Sequence, residues 1–114
     1  MNVKNWLLLV ALISMLCFSG GVGAATVWTG GVNVTDVEAI GDNGGFIIYV
    51  SPLVPACGSS SGLYVYPGQN GVSPEGLKAM YAMALTAIAT GKKVNAMYDN
   101  ATANCFTRYL QISK

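Results

Sequence analysis

The sequence predicts a mainly β, α+β domain in which one helix sits between the third and fourth of five strands. Three observations carry this expectation. β-Branched and aromatic residues gather in five short runs bounded by Gly, Pro, Asn and Asp. A single stretch, Ser73 to Gly91, keeps helical periodicity between a capping serine and a glycine stop. Once the apolar N-terminal leader is set aside, about 90 residues remain, enough for one small core.

The leader accounts for much of the hydrophobic content, which is 53% of the chain against only 10% charged residues. Met1 to Trp6 carries one charge, Lys4; Leu7 to Phe18 is almost unbroken hydrocarbon; Ser19 to Ala24 is small and flexible. A charged start, an apolar run of about a dozen residues and a small-residue exit are the parts of a secretory signal peptide. We place it at residues 1–24, with cleavage after Ala24 and cleavage after Ala25 as the close alternative. The run is shorter than the roughly 20 residues that a membrane-spanning helix needs, so no span is expected after cleavage. Ser14-Met15-Leu16 ahead of Cys17 lacks the small residues of a lipid-attachment site. The expectation is a secreted or periplasmic protein with a single domain over residues 25–114.

Cleavage also changes the charge and cysteine arithmetic. Lys78, Lys92, Lys93, Arg108 and Lys114 then face Asp36, Glu38, Asp42, Glu75 and Asp99, so the mature chain is neutral. A neutral domain has no basic footprint for nucleic acid. Cys17 leaves, and Cys57 and Cys105 remain as one pair in an oxidising compartment, where a disulfide is expected. Closing a loop of about 48 residues is worth roughly 4 kcal/mol in the chain-entropy account. The absence of a CxxC spacing argues against a redox thiol pair.

The elements follow in order. Val27-Trp28-Thr29 begins extended and breaks at Gly30-Gly31. Val32, Val34, Val37 and Ile40 form a β segment, and Gly41-Asp42-Asn43-Gly44-Gly45 turns it. Phe46 to Val50 is apolar throughout and reads as a central strand. Pro52 and Pro55 keep the next stretch out of a ladder, because neither has an N–H to donate. Cys57 to Gly62 is a polar loop, and Leu63-Tyr64-Val65-Tyr66 is a short third strand that puts both tyrosines on one face.

In the helix, Ser73 is the N-cap, Pro74 takes the first helical position and Glu75 sits near the positive end of the dipole. Leu77, Tyr81, Ala84, Leu85 and Ile88 make one stripe, widened by Met80 and Met83. Gly91 stops the helix. Val94 to Tyr98 reads as the fourth strand, Asp99 to Asn104 as a turn and Cys105 to Ile112 as the fifth strand. This β-β-β-α-β-β order is that of an OB-like five-stranded barrel with one helix between strands 3 and 4. Another small α+β sandwich shares the order.

Leu77, Met80-Tyr81, Ala84-Leu85, Gly91, Val94 and Tyr98 form a pattern of helix, glycine stop and tyrosine-ended strand. That pattern resembles the subtilase cytotoxin B subunit group, among the receptor-binding components of bacterial toxins with five B chains. The segment from Val72 to Ile112, with its Gly-Lys-Lys-Val and Tyr-Asp elements, also resembles a wider group of small uncharacterised secreted bacterial proteins. The resemblance implies an OB-fold that assembles and binds glycans. It rests on core and turn residues, so it bears on fold, and no sugar-binding position is carried over.

The chain contains no histidine, which removes the commonest general base and metal ligand. No metal-ligand spacing appears, and no metal or cofactor is expected. Asp36 and Glu38 share a strand face as solvated surface groups rather than as an acid–base pair. Asp42, Asn43 and Asp99 lie in turns, where such side chains bond their own backbone. Asn33-Val34-Thr35 and Asn100-Ala101-Thr102 match N-glycosylation acceptors, relevant only in a eukaryotic secretory route.

The expectation is therefore a non-enzymatic binding module for a glycan or a protein surface. Its candidate ligand-binding residues are Ser59, Ser60, Tyr64, Tyr66, Tyr98 and Asp99, because amphipathic rings and small polar groups suit such surfaces. The alternative is a structural subunit that forms a homo-oligomer or docks on a secreted partner through the Met80/Met83 helix face.

Overall fold

The computed structural model describes residues 26–113; the expected leader and its cleavage point lie outside the described residues. The strands are β1 (Thr26–Trp28), β2 (Asn33–Ala39), β3 (Phe46–Ser51), β4 (Gly62–Val65), β5 (Val94–Asp99) and β6 (Thr107–Ile112). Helix α1 (Pro74–Thr90) lies between β4 and β5, and a 3-10 turn at Pro55–Cys57 lies between β3 and β4. The α+β, mainly β class is as the sequence predicts.

The strand count is corrected. Among the described residues, six strands form two open three-stranded antiparallel sheets, β1-β5-β6 and β2-β3-β4, in place of a five-stranded barrel. The extended start that breaks at Gly30-Gly31, as the sequence predicts, is a strand of its own. Gly30 has φ +75°, a left-handed conformation open to glycine. Before that break the chain pairs with β5, and after it with β3. Val32 spans the junction, exchanging two backbone hydrogen bonds of 2.9 and 2.8 Å with Val94. The last strand starts at Thr107 rather than at Cys105, because Cys105 takes φ +46° and leaves the extended region.

Alternation sorts the strands into an inner and an outer face. Val34, Phe46, Ile48, Val50, Leu63 and Val65 from one sheet meet Val94, Ala96, Tyr98 and Leu110 from the other in a single core. Helix α1 adds Met80, Ala84 and Ala87. Its buried face is thus rotated from the predicted stripe, and Leu85 and Ile88 remain 41% and 39% exposed. The small alanines at 84 and 87 allow close approach, and Met80 fills the space beside them. The helix ends are as expected: the Ser73 hydroxyl accepts from the Gly76 N–H at 3.0 Å, and Gly91 takes the left-handed C-cap at φ +69°.

The Cys57–Cys105 disulfide forms, with the Cα atoms 5.4 Å apart and both residues buried. It ties the β3–β4 loop to the β5–β6 loop and so joins the two sheets a second time, besides the Val32–Val94 bridge. Beside it the Tyr64 N–H donates to the Asn104 carbonyl at 3.1 Å. Ser61 is buried in the same loop and its hydroxyl accepts from the Val54 N–H at 2.7 Å. A buried amide left unpaired would cost about 1–3 kcal/mol.

Candidate functional site

The predicted site residues separate into three settings. Ser59 and Ser60 are exposed in the turn that follows the 3-10 segment. Tyr98, 5% exposed, belongs to the core, since Val94, Ala96 and Tyr98 share the inner face of β5. Asp99 closes its own turn, accepting from the Ala101 N–H at 2.8 Å. Tyr64 and Tyr66 do come together, with ring centroids 5.7 Å apart and planes at 87°. Both are half-buried.

Tyr64 lies on the outer face of β2-β3-β4. Register aligns Glu38, Ile47 and Tyr64 in one row and Asp36, Tyr49 and Gly62 in the next. A Cβ on Gly62 would come within 3.4 Å of both the Tyr49 and Tyr64 rings, so the glycine lets both settle against the backbone. The Tyr49 hydroxyl donates to the Glu38 carboxylate at 3.0 Å. That bond holds the phenol above its usual range, helped by burial and by the nearby charges of Glu38, Tyr64 and Asp36. Tyr49 is therefore a proton donor that orients Glu38, not a poised nucleophile. Tyr66 continues the aromatic row to Phe106 at 5.7 Å, and its ring occupies the space a Cβ on Gly45 would need. These rings use much of their surface on one another.

The outer face of β1-β5-β6 differs. Register places Trp28, Met97 and Tyr109 in one cross-strand row. The Trp28 and Tyr109 rings lie 6.4 Å apart and within 18° of parallel. They are 47% and 49% exposed, the most exposed aromatic pair among the described residues. Asn95 and Gln111 form a neighbouring row; Asn95 Oδ1 accepts from the Gly30 N–H at 3.0 Å. The Arg108 guanidinium carbon stands 5.3 Å from the Tyr109 ring centre, a cation–π distance. From the sequence, Trp28 falls only in an extended start and Tyr109 only within the fifth strand, Cys105 to Ile112. The signal for Tyr109 was present: Leu110 and Ile112 turn inward, so alternation turns Tyr109 and Gln111 outward.

An open apolar cleft of about 400 Å³ lies between α1 and the β2–β3 turn, walled by Ile40, Phe46, Leu77 and Tyr81 with Lys78 at its edge. Among the described residues, no group of three or more His, Cys, Asp or Glu side chains could hold a metal ion. Among them too, no helix is long and apolar enough to cross a membrane. Comparison with protein-family models, curated proteins and solved structures finds no match.

Proposed function

We propose that the chain is an exported, non-enzymatic binding module that recognises a glycan through the Trp28–Tyr109 surface. The observation that carries this reading is the near-parallel, half-exposed ring pair on a rigid antiparallel sheet. Flat rings stack against the C–H faces of sugars, and their polar edges tolerate water. The amides of Asn95 and Gln111, one row along, supply donors and acceptors suited to hydroxyl groups. In the same reading the two sheets form an OB-like barrel left open between β4 and β6, supported by the Val32–Val94 bridge and by the helix position. The resemblance of the Leu77 to Tyr98 pattern to the subtilase cytotoxin B subunit group suits the same reading. The disulfide supports export.

The test is a glycan array probed with wild-type protein, Trp28→Ala and Tyr64→Ala. Binding that disappears with Trp28→Ala and survives Tyr64→Ala supports the reading. Silence of the wild type across all glycans removes it. A second reading, an assembly subunit, rests on Leu85 and Ile88, the exposed apolar pair of α1. Met80 is buried and Met83 half-buried, so they do not form the exposed face expected for docking. A monomeric mass by light scattering at high concentration would count against self-assembly.

A further inference from the structure

Asparagine, a chemically labile residue, is followed by glycine at two places, Asn43-Gly44 and Asn70-Gly71. The fold treats the two steps differently. Asn43 and Gly44 are both exposed in the β2–β3 turn. The Asn43 Oδ1 accepts from the Gly45 N–H at 2.9 Å, while its Nδ2 has no partner among the described residues. That bond folds the carboxamide back along the turn, so Cγ and the Gly44 nitrogen lie in one small hydrogen-bonded ring. Gly44 has φ +79°, and the space where a Cβ would stand is empty to 4 Å. Its N–H has no acceptor among the described residues. Asn70, by contrast, is half-buried, and its Nδ2 donates to the Phe106 carbonyl at 2.9 Å. Around it the Gly68 N–H donates to the Val72 carbonyl at 2.8 Å and closes the turn. Cyclisation at Asn70 requires the Phe106 bond to break.

We propose that Asn43 is a site of spontaneous deamidation and that the fold protects Asn70. The Gly44 nitrogen, having lost its proton to hydroxide, attacks Asn43 Cγ. An N–Cγ bond forms, the Cγ–Nδ2 bond breaks, and the departing nitrogen takes a proton from water and leaves as ammonia. Water then opens the cyclic imide at either carbonyl, giving aspartate or isoaspartate with no change of oxidation state. The Gly45 N–H stabilises the charge that gathers on Oδ1 during the attack. Gly44 and Gly45 line the cleft beside α1 together with Lys78. Each event therefore adds a negative charge at that rim, and isoaspartate also lengthens the turn backbone. The Trp28–Tyr109 face plays no part in it.

The experiment incubates the folded, oxidised protein at mildly alkaline pH beside a sample reduced and unfolded in guanidinium. Chymotryptic cleavage at Phe46 and Tyr64 separates the two sites, and mass spectrometry reads amide-to-acid conversion at each. In the folded protein Asn43 should convert at least roughly tenfold faster than Asn70, and unfolding should bring the two rates within about threefold. Asn43→Gln should abolish the fast conversion. Equal rates in the folded protein, or a faster Asn70, would overturn the proposal. So would an Asn43 that reacts only after unfolding, or a rate ratio that persists in the unfolded chain, where local sequence alone would set it.

Discussion

On β1-β5-β6 the rings of Trp28 and Tyr109 lie nearly parallel and about half exposed, whereas on β2-β3-β4 Tyr64 meets Tyr66 edge-on and Tyr66 leans against Phe106. Both faces are aromatic, but the second turns its ring surface toward neighbouring rings and toward bare glycine backbone at Gly45 and Gly62. It also carries Asp36 and Glu38, while the first has Arg108 beside Tyr109. The difference teaches that an aromatic residue's role is set by what its ring faces. Rings packed against rings stabilise the sheet; rings left open are available to a ligand.

The largest expected effect comes from uncoupling the sheets that carry the two faces. The double variant Cys57→Ala/Cys105→Ala should lower unfolding free energy by about 4 kcal/mol, read as a lower urea midpoint. A loss below about 1 kcal/mol would mean that the loops hold the sheets together without the bond. Gly45→Ala comes next. Its Cβ would collide with the Tyr66 ring and lie 2.8 Å from the Val65 carbonyl oxygen, costing about 1–3 kcal/mol. Ligand binding by Trp28 should be unaffected, and a loss of both would show that the faces are not independent. Stability measurements on the two array variants sharpen the contrast further: Tyr64→Ala should cost about 2 kcal/mol and Trp28→Ala about 1 kcal/mol. The reverse order would break the distinction between packed and open rings.

The smallest effect concerns pH. Tyr49 is neutral in the fold, and its hydrogen bond to Glu38 is the first cause that raises its titration above the ordinary tyrosine range. A raised value means that the added stability is fully present below about pH 10 and is lost as pH climbs through the folded-state value. The stability difference between wild type and Tyr49→Phe should hold steady up to pH 9, then shrink. Urea titrations from pH 8 to 11 measure it, and a difference that grows with alkalinity would contradict the Tyr49–Glu38 bond.

Much of the local structure was legible in the sequence because local physics decides it. Ser73 and Gly91 mark the helix ends because a cap and a left-handed stop are properties of a few adjacent residues. The turn at Gly41–Gly45 is of the same kind, whereas the cysteine pairing spans 48 positions and was legible by elimination. The break at Gly30-Gly31 was legible, but the pairing on either side of it was not, because β1 meeting β5 is a contact far apart along the chain. The sequence singled out tyrosines for their amphipathic rings, but inward alternation of Val94, Ala96 and Tyr98 buries the last of them. Trp28 gave no sign of its exposure because its three-residue strand shows too little alternation to reveal a face.

The pairing of β1 with β5 also bears on the order of folding. Gly30 bonds Asn95 across 65 positions of sequence, and contacts at such separation are slow to form because a long loop must close first. Trp28 therefore reaches Tyr109 only when the start of the domain has met its end. A nascent or truncated chain displays no paired rings, and the ring pair becomes a late marker of a finished fold, readable by tryptophan fluorescence during refolding.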